Sequence, residues 1–157
     1  MRLKAYIETS IVSYLTAKPS KDVRVSANRE TTLDWWETRR YDFDLFISEL
    51  VVVEIAQGDV EAAGRRRKVI EGMAELEATE EVRALGKALI SKGPIPPQAE
   101  VDAYHIAIAA VNGMDYLLTW NCAHIANAAM RPQIESVCRD HGYEPPIICT
   151  PQELMEA

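Results

Sequence analysis

The stretch that most constrains how this chain can fold is residues 100–127, EVDAYHIAIAAVNGMDYLLTWNCAHIAN. In its first half Asp102, His105, Ile106 and Ala109 recur at three- and four-residue spacing, so they share one face of a helix. Gly113 stands where that helix must end, because a left-handed residue there reverses the chain without steric cost. Tyr116, Leu117, Leu118, Thr119 and Trp120 then form a short run rich in strand-favouring residues. A helix that feeds a parallel strand runs antiparallel to it. Its first turn therefore lies at the edge where strands end, and Asp102 and Asn121 are expected together at that edge. Open α/β sheets bind their ligands there.

The rest of the chain alternates in the same manner. Residues 3–8 (LKAYIE) predict a first strand, with Ala5 and Ile7 on one face and Tyr6 on the other. Glu8 ends it at the start of a helix that Thr9 and Ser10 can cap, and the helix dipole favours an acid at that point. Residues 18–28 are polar and contain Pro19, which reads as a loop, and residues 30–40 read as a helix with Leu33 and Trp36 inward. Residues 43–47 predict a second strand, Ser48 an N-cap, and residues 49–57 a helix closed by Gly58. Within that helix Glu54 sits among Val51, Val52, Val53, Ile55 and Ala56. A carboxylate in such a run is costly unless a cation or hydrogen bonds satisfy it. Glu49, in the first turn, reads as a surface acid that favours the dipole.

Residues 60–76 and 80–90 read as two amphipathic helices, the second capped by Thr79. The first carries Arg65, Arg66, Arg67 and Lys68, which read as a solvated face paired with Glu61, Glu71 and Glu75. Residues 124–141 look helical, with a kink or restart at Pro132. Residues 146–149 predict a last short strand, and Thr150, Pro151 and Glu153 form a capping box.

Strands at 3–8, 43–47, 115–120 and 146–149, each separated by helices, predict an α/β fold with a parallel sheet covered on both faces. The length of 157 residues predicts one domain over 1–157. Hydrophobic residues make up 48% and charged residues 26%, which excludes a disordered chain. No apolar run approaches the roughly 20 residues a bilayer span needs, and the N-terminus lacks an apolar leader core. Cys122, Cys138 and Cys149 are odd in number and lack disulfide or zinc spacing. Together these predict a cytoplasmic protein with no membrane partner. The net charge of −7 excludes nucleic-acid binding by global charge alone; cations or a local basic patch must replace it.

In the expected architecture Glu8, Glu54, Asp102 and Asn121 all lie toward the carboxyl edge of the sheet. Like charges gathered there repel by several kcal/mol at intermediate dielectric. A divalent cation removes that conflict. The donors are hard oxygens without a coherent His/Cys set, which suits Mg²⁺ or Mn²⁺ better than Zn²⁺.

The same residues carry a resemblance. YIETS at 6–10, SELVVVEI at 48–55, DAYHIA at 102–107 and LLTWN at 117–121 resemble the successive acidic motifs of PIN-domain nucleases, most closely VapC-type toxins of prokaryotic toxin–antitoxin pairs. The resemblance spans residues 1–150. It implies a three-layer α/β/α fold with a central, mostly parallel sheet. It also implies a Mg²⁺- or Mn²⁺-dependent endoribonuclease that hydrolyses RNA phosphodiester bonds, forms a homodimer and is inhibited by a cognate antitoxin protein. Position by position, Glu8, Glu54 and Asp102 are implied as the catalytic, metal-holding acids, and Asn121 stands where the family usually has a fourth acid. Glu8 replaces the usual aspartate and is one methylene longer. Thr9, Ser10, Thr119 and His124 are accessory candidates through hydroxyl or imidazole hydrogen bonds, and His105 is expected to pack beside the site. The two departures keep one alternative open, a catalytically degenerate PIN fold that binds RNA or a partner without cutting. A receiver-like phosphoacceptor domain fits less well, since it needs paired acids after an early strand and a late lysine.

Overall fold

Strand β1 (Leu3–Ile7) lies at the centre of a five-stranded sheet with β2 (Phe43–Ser48), β3 (Ala74–Leu76), β4 (Tyr116–Leu118) and β5 (Ile147–Cys149). The strand order is β3-β2-β1-β4-β5 and every pairing is parallel. These elements come from a computed structural model that describes residues 1–155. The crossovers are filled by α1 (Thr9–Thr16), α2 (Val23–Thr38), α3 (Glu49–Ile55), α4 (Val60–Ile70), α5 (Glu80–Ser91), α6 (Glu100–Val111) and α7 (Arg131–Asp140). Parallel strands need such crossovers, which cover both faces of a sheet. Ala5, Tyr6, Ile7, Leu117 and Leu118 are accordingly all fully buried. This explains why β1 and β4 read as nearly continuous apolar runs rather than as alternating ones.

The chain steps outward from β1 through β2 to β3, then returns across the sheet to β4 and β5. The order therefore reverses between β1 and β4. Connections leave these two strands in opposite directions, so a crevice opens at their carboxyl ends.

Several local expectations need correction. The helix expected over 60–76 stops at Ile70, Gly72 adopts φ +80°, and Ala74–Leu76 forms the edge strand β3 against β2. Three residues, two of them exposed, carry no periodicity to betray a strand; Gly72 was the available sign. Residues 23–28 are helical rather than loop, because the Asp22 carboxylate accepts the Arg24 and Val25 backbone N–H groups at 2.9 and 3.1 Å. In α2 the buried residues are Thr32 and Trp35, whereas Leu33 and Trp36 are half-buried. Residues 124–130 form turns, and α7 starts at Arg131 with Pro132 in its first turn, where a missing N–H costs little.

The basic quartet does not pair with Glu61, Glu71 or Glu75 among the described residues. Arg66 instead turns back, and its Nε and Nη2 donate to the Ile55 and Gln57 carbonyls at 3.0 and 2.6 Å. It thereby satisfies acceptors left open where α3 ends. Thr9 and Ser10 do not cap α1, whose N-cap is Glu8 without a side-chain cap bond. Their hydroxyls turn to Glu54 and Glu8 instead, whereas the other expected caps form. Ser48 and Thr79 accept from Val51 and Val82, Gly113 takes φ +68°, and Thr150 and Glu153 bond reciprocally.

The core makes its own testable statement about the thiols. Cys138 and Cys149 are buried, and burial pushes them up from an ordinary value near 9 to about 11 and about 12. Cys122 is exposed. A thiol reagent at pH 8 is expected to label Cys122 rapidly and the other two only after unfolding. A raised folded-state pKa contributes stability that is complete below pH 9 and is lost as pH rises through 11 to 12. The urea midpoint should therefore fall between pH 8 and pH 11. No helix among the described residues is long and apolar enough to cross a membrane.

Candidate active site

Glu8 follows β1 directly, and its backbone N–H donates to the Leu118 carbonyl at 3.1 Å, carrying the β1–β4 ladder one step further. It is the N-cap residue of α1, in an extended conformation, yet its side chain makes no capping bond. The carboxylate serves the crevice instead. Its Oε1 accepts the Ser10 hydroxyl and, at 2.6 Å, the Thr119 hydroxyl just past β4. Both hydroxyls are themselves held: Ser10 accepts the Trp120 N–H at 2.8 Å and Thr119 the Asn121 N–H at 2.9 Å. Glu8 is only 5% exposed.

Glu54 arrives from the last turn of α3, while Glu49 is exposed in the first. Its Oε1 accepts the Thr9 hydroxyl at 2.6 Å and lies 2.6 Å from His105 Nε2. Burial works against its charge, but the hydrogen bonds from His105 and from the Thr9 hydroxyl hold its carboxyl below the usual range. Glu54 is thus an ionised acid at neutral pH.

His105 is fully buried on α6. The spacing placed it on the same helix face as Asp102, and the structure brings it, not Asp102, to the two glutamates. Glu8, Glu54 and His105 each offer a donor atom, and the three atoms lie within 4.8 Å of one another. Asp102, in the first turn of α6, instead meets His124, with Oδ2 at 3.0 Å from Nδ1. Asn121 Oδ1 accepts the His124 backbone N–H at 3.1 Å, so this amide caps the turn over 122–126. The carboxyl edge therefore carries two polar groups: Glu8 and Glu54 with Thr9, Ser10, Thr119 and His105, and beside them Asp102 with Asn121 and His124.

Two participants escaped sequence reasoning. The Tyr6 hydroxyl, fully buried in β1, lies 2.7 Å from His105 Nδ1 and 2.6 Å from Ser48 Oγ. Tyr6 reads only as the residue facing the other side of β1, and Ser48 as a cap. The available signal was a phenol in a strand buried on both faces, which must find a partner.

No protein-family model matches the sequence, and no curated protein does. Solved structures match it in shape. VapBC2 from Rickettsia felis, in a crystal structure bound to a DNA fragment from its promoter, superposes with a TM-score of 0.60 at 13% identity, over 94% of this chain and 98% of that one. VapC20 from Mycobacterium tuberculosis, a toxin that cleaves the sarcin–ricin loop, superposes with a TM-score of 0.59 at 14% identity, over 76% of this chain and 92% of that one. The chain has a PIN-like fold.

Within this PIN-like fold, the switch point between β1 and β4 holds two carboxylates whose donor atoms come within 4.8 Å. Two unit charges at that spacing repel by about 3 kcal/mol at an effective dielectric of 20. Among the described residues no lysine or arginine pairs with Glu8, Glu54 or Asp102. All the described hydrogen bonds to the carboxylates of Glu8 and Glu54 fall on Oε1, and Oε2 of each has no described partner. An electron-rich, oxygen-dominated group with spare acceptors and no lysine or arginine beside it suits a hard divalent ion. The residues present fit such an ion.

Proposed function

We propose that this protein is a divalent-metal-dependent endoribonuclease that hydrolyses RNA phosphodiester bonds, and that it is the toxin of a toxin–antitoxin pair. One observation carries the reading. Glu8, just past β1, and Glu54, in the last turn of α3, meet at the switch point of a PIN-like sheet with spare oxygens and no described lysine or arginine partner. The names of its structural neighbours support it, one a sarcin–ricin-loop-cleaving toxin and the other a VapBC complex on promoter DNA. RNA as substrate, a cognate antitoxin, a homodimer, a single domain over 1–157 and a cytoplasmic setting complete the proposal.

Glu8 and Glu54 hold Mg²⁺ or Mn²⁺, with Asp102 a third acid at the same edge. When bound, the cation supplies positive charge beside the phosphodiester and lowers the pKa of water. The chain's own residues set the geometry. Thr119 and Ser10 orient the Glu8 carboxylate, and Thr9 and His105 orient that of Glu54. Asn121 keeps the 122–126 turn in place, and that turn presents His124 to Asp102.

The pairing of Asp102 with His124 favours a second reading, a PIN-like protein that binds RNA or a partner without cutting. Purified protein titrated with Mn²⁺, and assayed on RNA with and without Mg²⁺, separates the two. The enzyme reading expects Mn²⁺ binding, metal-dependent cleavage, and loss of cleavage in Asp102→Asn with circular dichroism unchanged. Full activity in that variant removes Asp102 from the site. Neither binding nor cleavage in the unaltered protein establishes the second reading.

A further inference from the structure

We propose that Ser48 and Tyr6 are positioning residues for Glu54, acting through His105, and that His105 donates a hydrogen bond to Glu54 rather than ligating the cation. The inference rests on the reading that Glu54 helps hold a metal.

The argument is one of proton accounting in a closed space. Tyr6, Ser48 and His105 are each fully buried, so every polar hydrogen must find an acceptor within the protein. Ser48 Oγ already accepts the Val51 N–H at 3.4 Å, in its role as N-cap of α3. Its own hydrogen has one described acceptor, the Tyr6 oxygen at 2.6 Å. The Tyr6 hydrogen must then point the other way, to His105 Nδ1 at 2.7 Å. An Nδ1 that accepts is unprotonated, so the ring hydrogen sits on Nε2 and points at Glu54 Oε1, 2.6 Å away.

The opposite direction fails. If Tyr6 donated to Ser48, the serine hydrogen would be buried without an acceptor, at a cost far above that of a weak bond. Burial also pushes the Tyr6 phenol well above its usual range, against a smaller lowering by Ser48, so it keeps its proton to give. The result is a one-way relay of donors running from the backbone of α3 through Ser48, Tyr6 and His105 to the carboxylate of Glu54. Starting and ending on α3, it ties the last turn of that helix to β1 and α6. In this arrangement Nε2 has no lone pair for a metal, although His105 stands close enough to both glutamates for a ring nitrogen to serve as a ligand. Thr9 supplies the second donor to the same oxygen, which leaves Oε2 of Glu54 oriented for the ion.

The direct test is nuclear magnetic resonance on the full chain labelled with ¹⁵N-histidine, with His105 assigned by its loss in His105→Gln. The expected spectrum at pH 8 shows His105 protonated at Nε2 and bare at Nδ1, unchanged by saturating Mg²⁺. A hydrogen on Nδ1, or an Nε2 resonance that moves to a metal-bound position when Mg²⁺ or Cd²⁺ is added, overturns the proposal without any variant having to fold. In the second arm, Mn²⁺ binding is measured by calorimetry for the unaltered protein, Tyr6→Phe and Glu54→Gln. Tyr6→Phe is expected to weaken Mn²⁺ binding by about 10-fold or more. Unchanged affinity in Tyr6→Phe, with binding lost in Glu54→Gln, defeats the positioning role alone. Unchanged affinity in Glu54→Gln defeats the metal reading and the relay's purpose with it.

Discussion

Replacing Glu8 with glutamine is expected to lower metal-dependent RNA cleavage by about 10²–10³-fold or more while leaving the fold intact. The substitution is nearly isosteric. The amide oxygen still accepts the Ser10 and Thr119 hydroxyls, so the local network that joins β1 to β4 survives. What disappears is a negative charge that is 5% exposed and shares the crevice with ionised Glu54. Removing one of two repelling charges should leave the metal-free protein as stable as before, or more so. Ligand linkage provides the second readout: Mg²⁺ should raise the melting temperature of the unaltered protein and have little effect on Glu8→Gln. A variant that cleaves normally, or that still gains stability from Mg²⁺, would show that Glu8 is a structural acid only.

The largest stability change is expected from Trp35→Ala, at about 3–5 kcal/mol. Trp35 is fully buried in α2, stacks on Phe43 with ring centroids 5.8 Å apart, and donates Nε1–H to the Leu154 carbonyl at 3.2 Å. Its removal opens a cavity at the base of β2 and orphans a carbonyl in the C-terminal turn. That loss is a large share of the 5–15 kcal/mol that holds a typical domain folded. Trp36→Ala is the control. Its ring is half-buried with the Arg40 guanidinium 4.6 Å from the ring centroid, a contact worth about 0.5–1 kcal/mol. Urea unfolding of the two variants side by side reads the difference. Comparable losses would mean that α2 presents a different face to the sheet.

That contrast shows where reading the chain reached its limit. The helix over 30–40 was legible, but its inward face was read one residue out of place. Leu33 and Trp36 form as good an apolar pair as Thr32 and Trp35, and local spacing does not weigh a threonine that bonds its own helix and Trp120. The edge strand β3 was hidden for a related reason. Its backbone pairs only because β2 lies beside it, and Ala74, Glu75 and Leu76 announce nothing by themselves. Arg66 is similar: its role depends on the α3 carbonyls being folded back within reach.

The sequence by itself determined the alternation of strands and helices, the parallel sheet, the caps at Ser48 and Thr79, and the delivery of Glu8, Glu54 and Asp102 to one edge. Those follow from rules acting within a few residues: periodicity, capping, and the sense in which a crossover helix must run. Only the tertiary structure decided which acids meet and what holds them. Whether Asp102 or His105, three residues apart on one face of α6, reaches Glu54 depends on how that helix is rotated and seated between its neighbours. The same seating puts the Tyr6 phenol against a histidine 99 positions away in the chain. Packing of side chains from distant segments sets that geometry, and no local rule contains it.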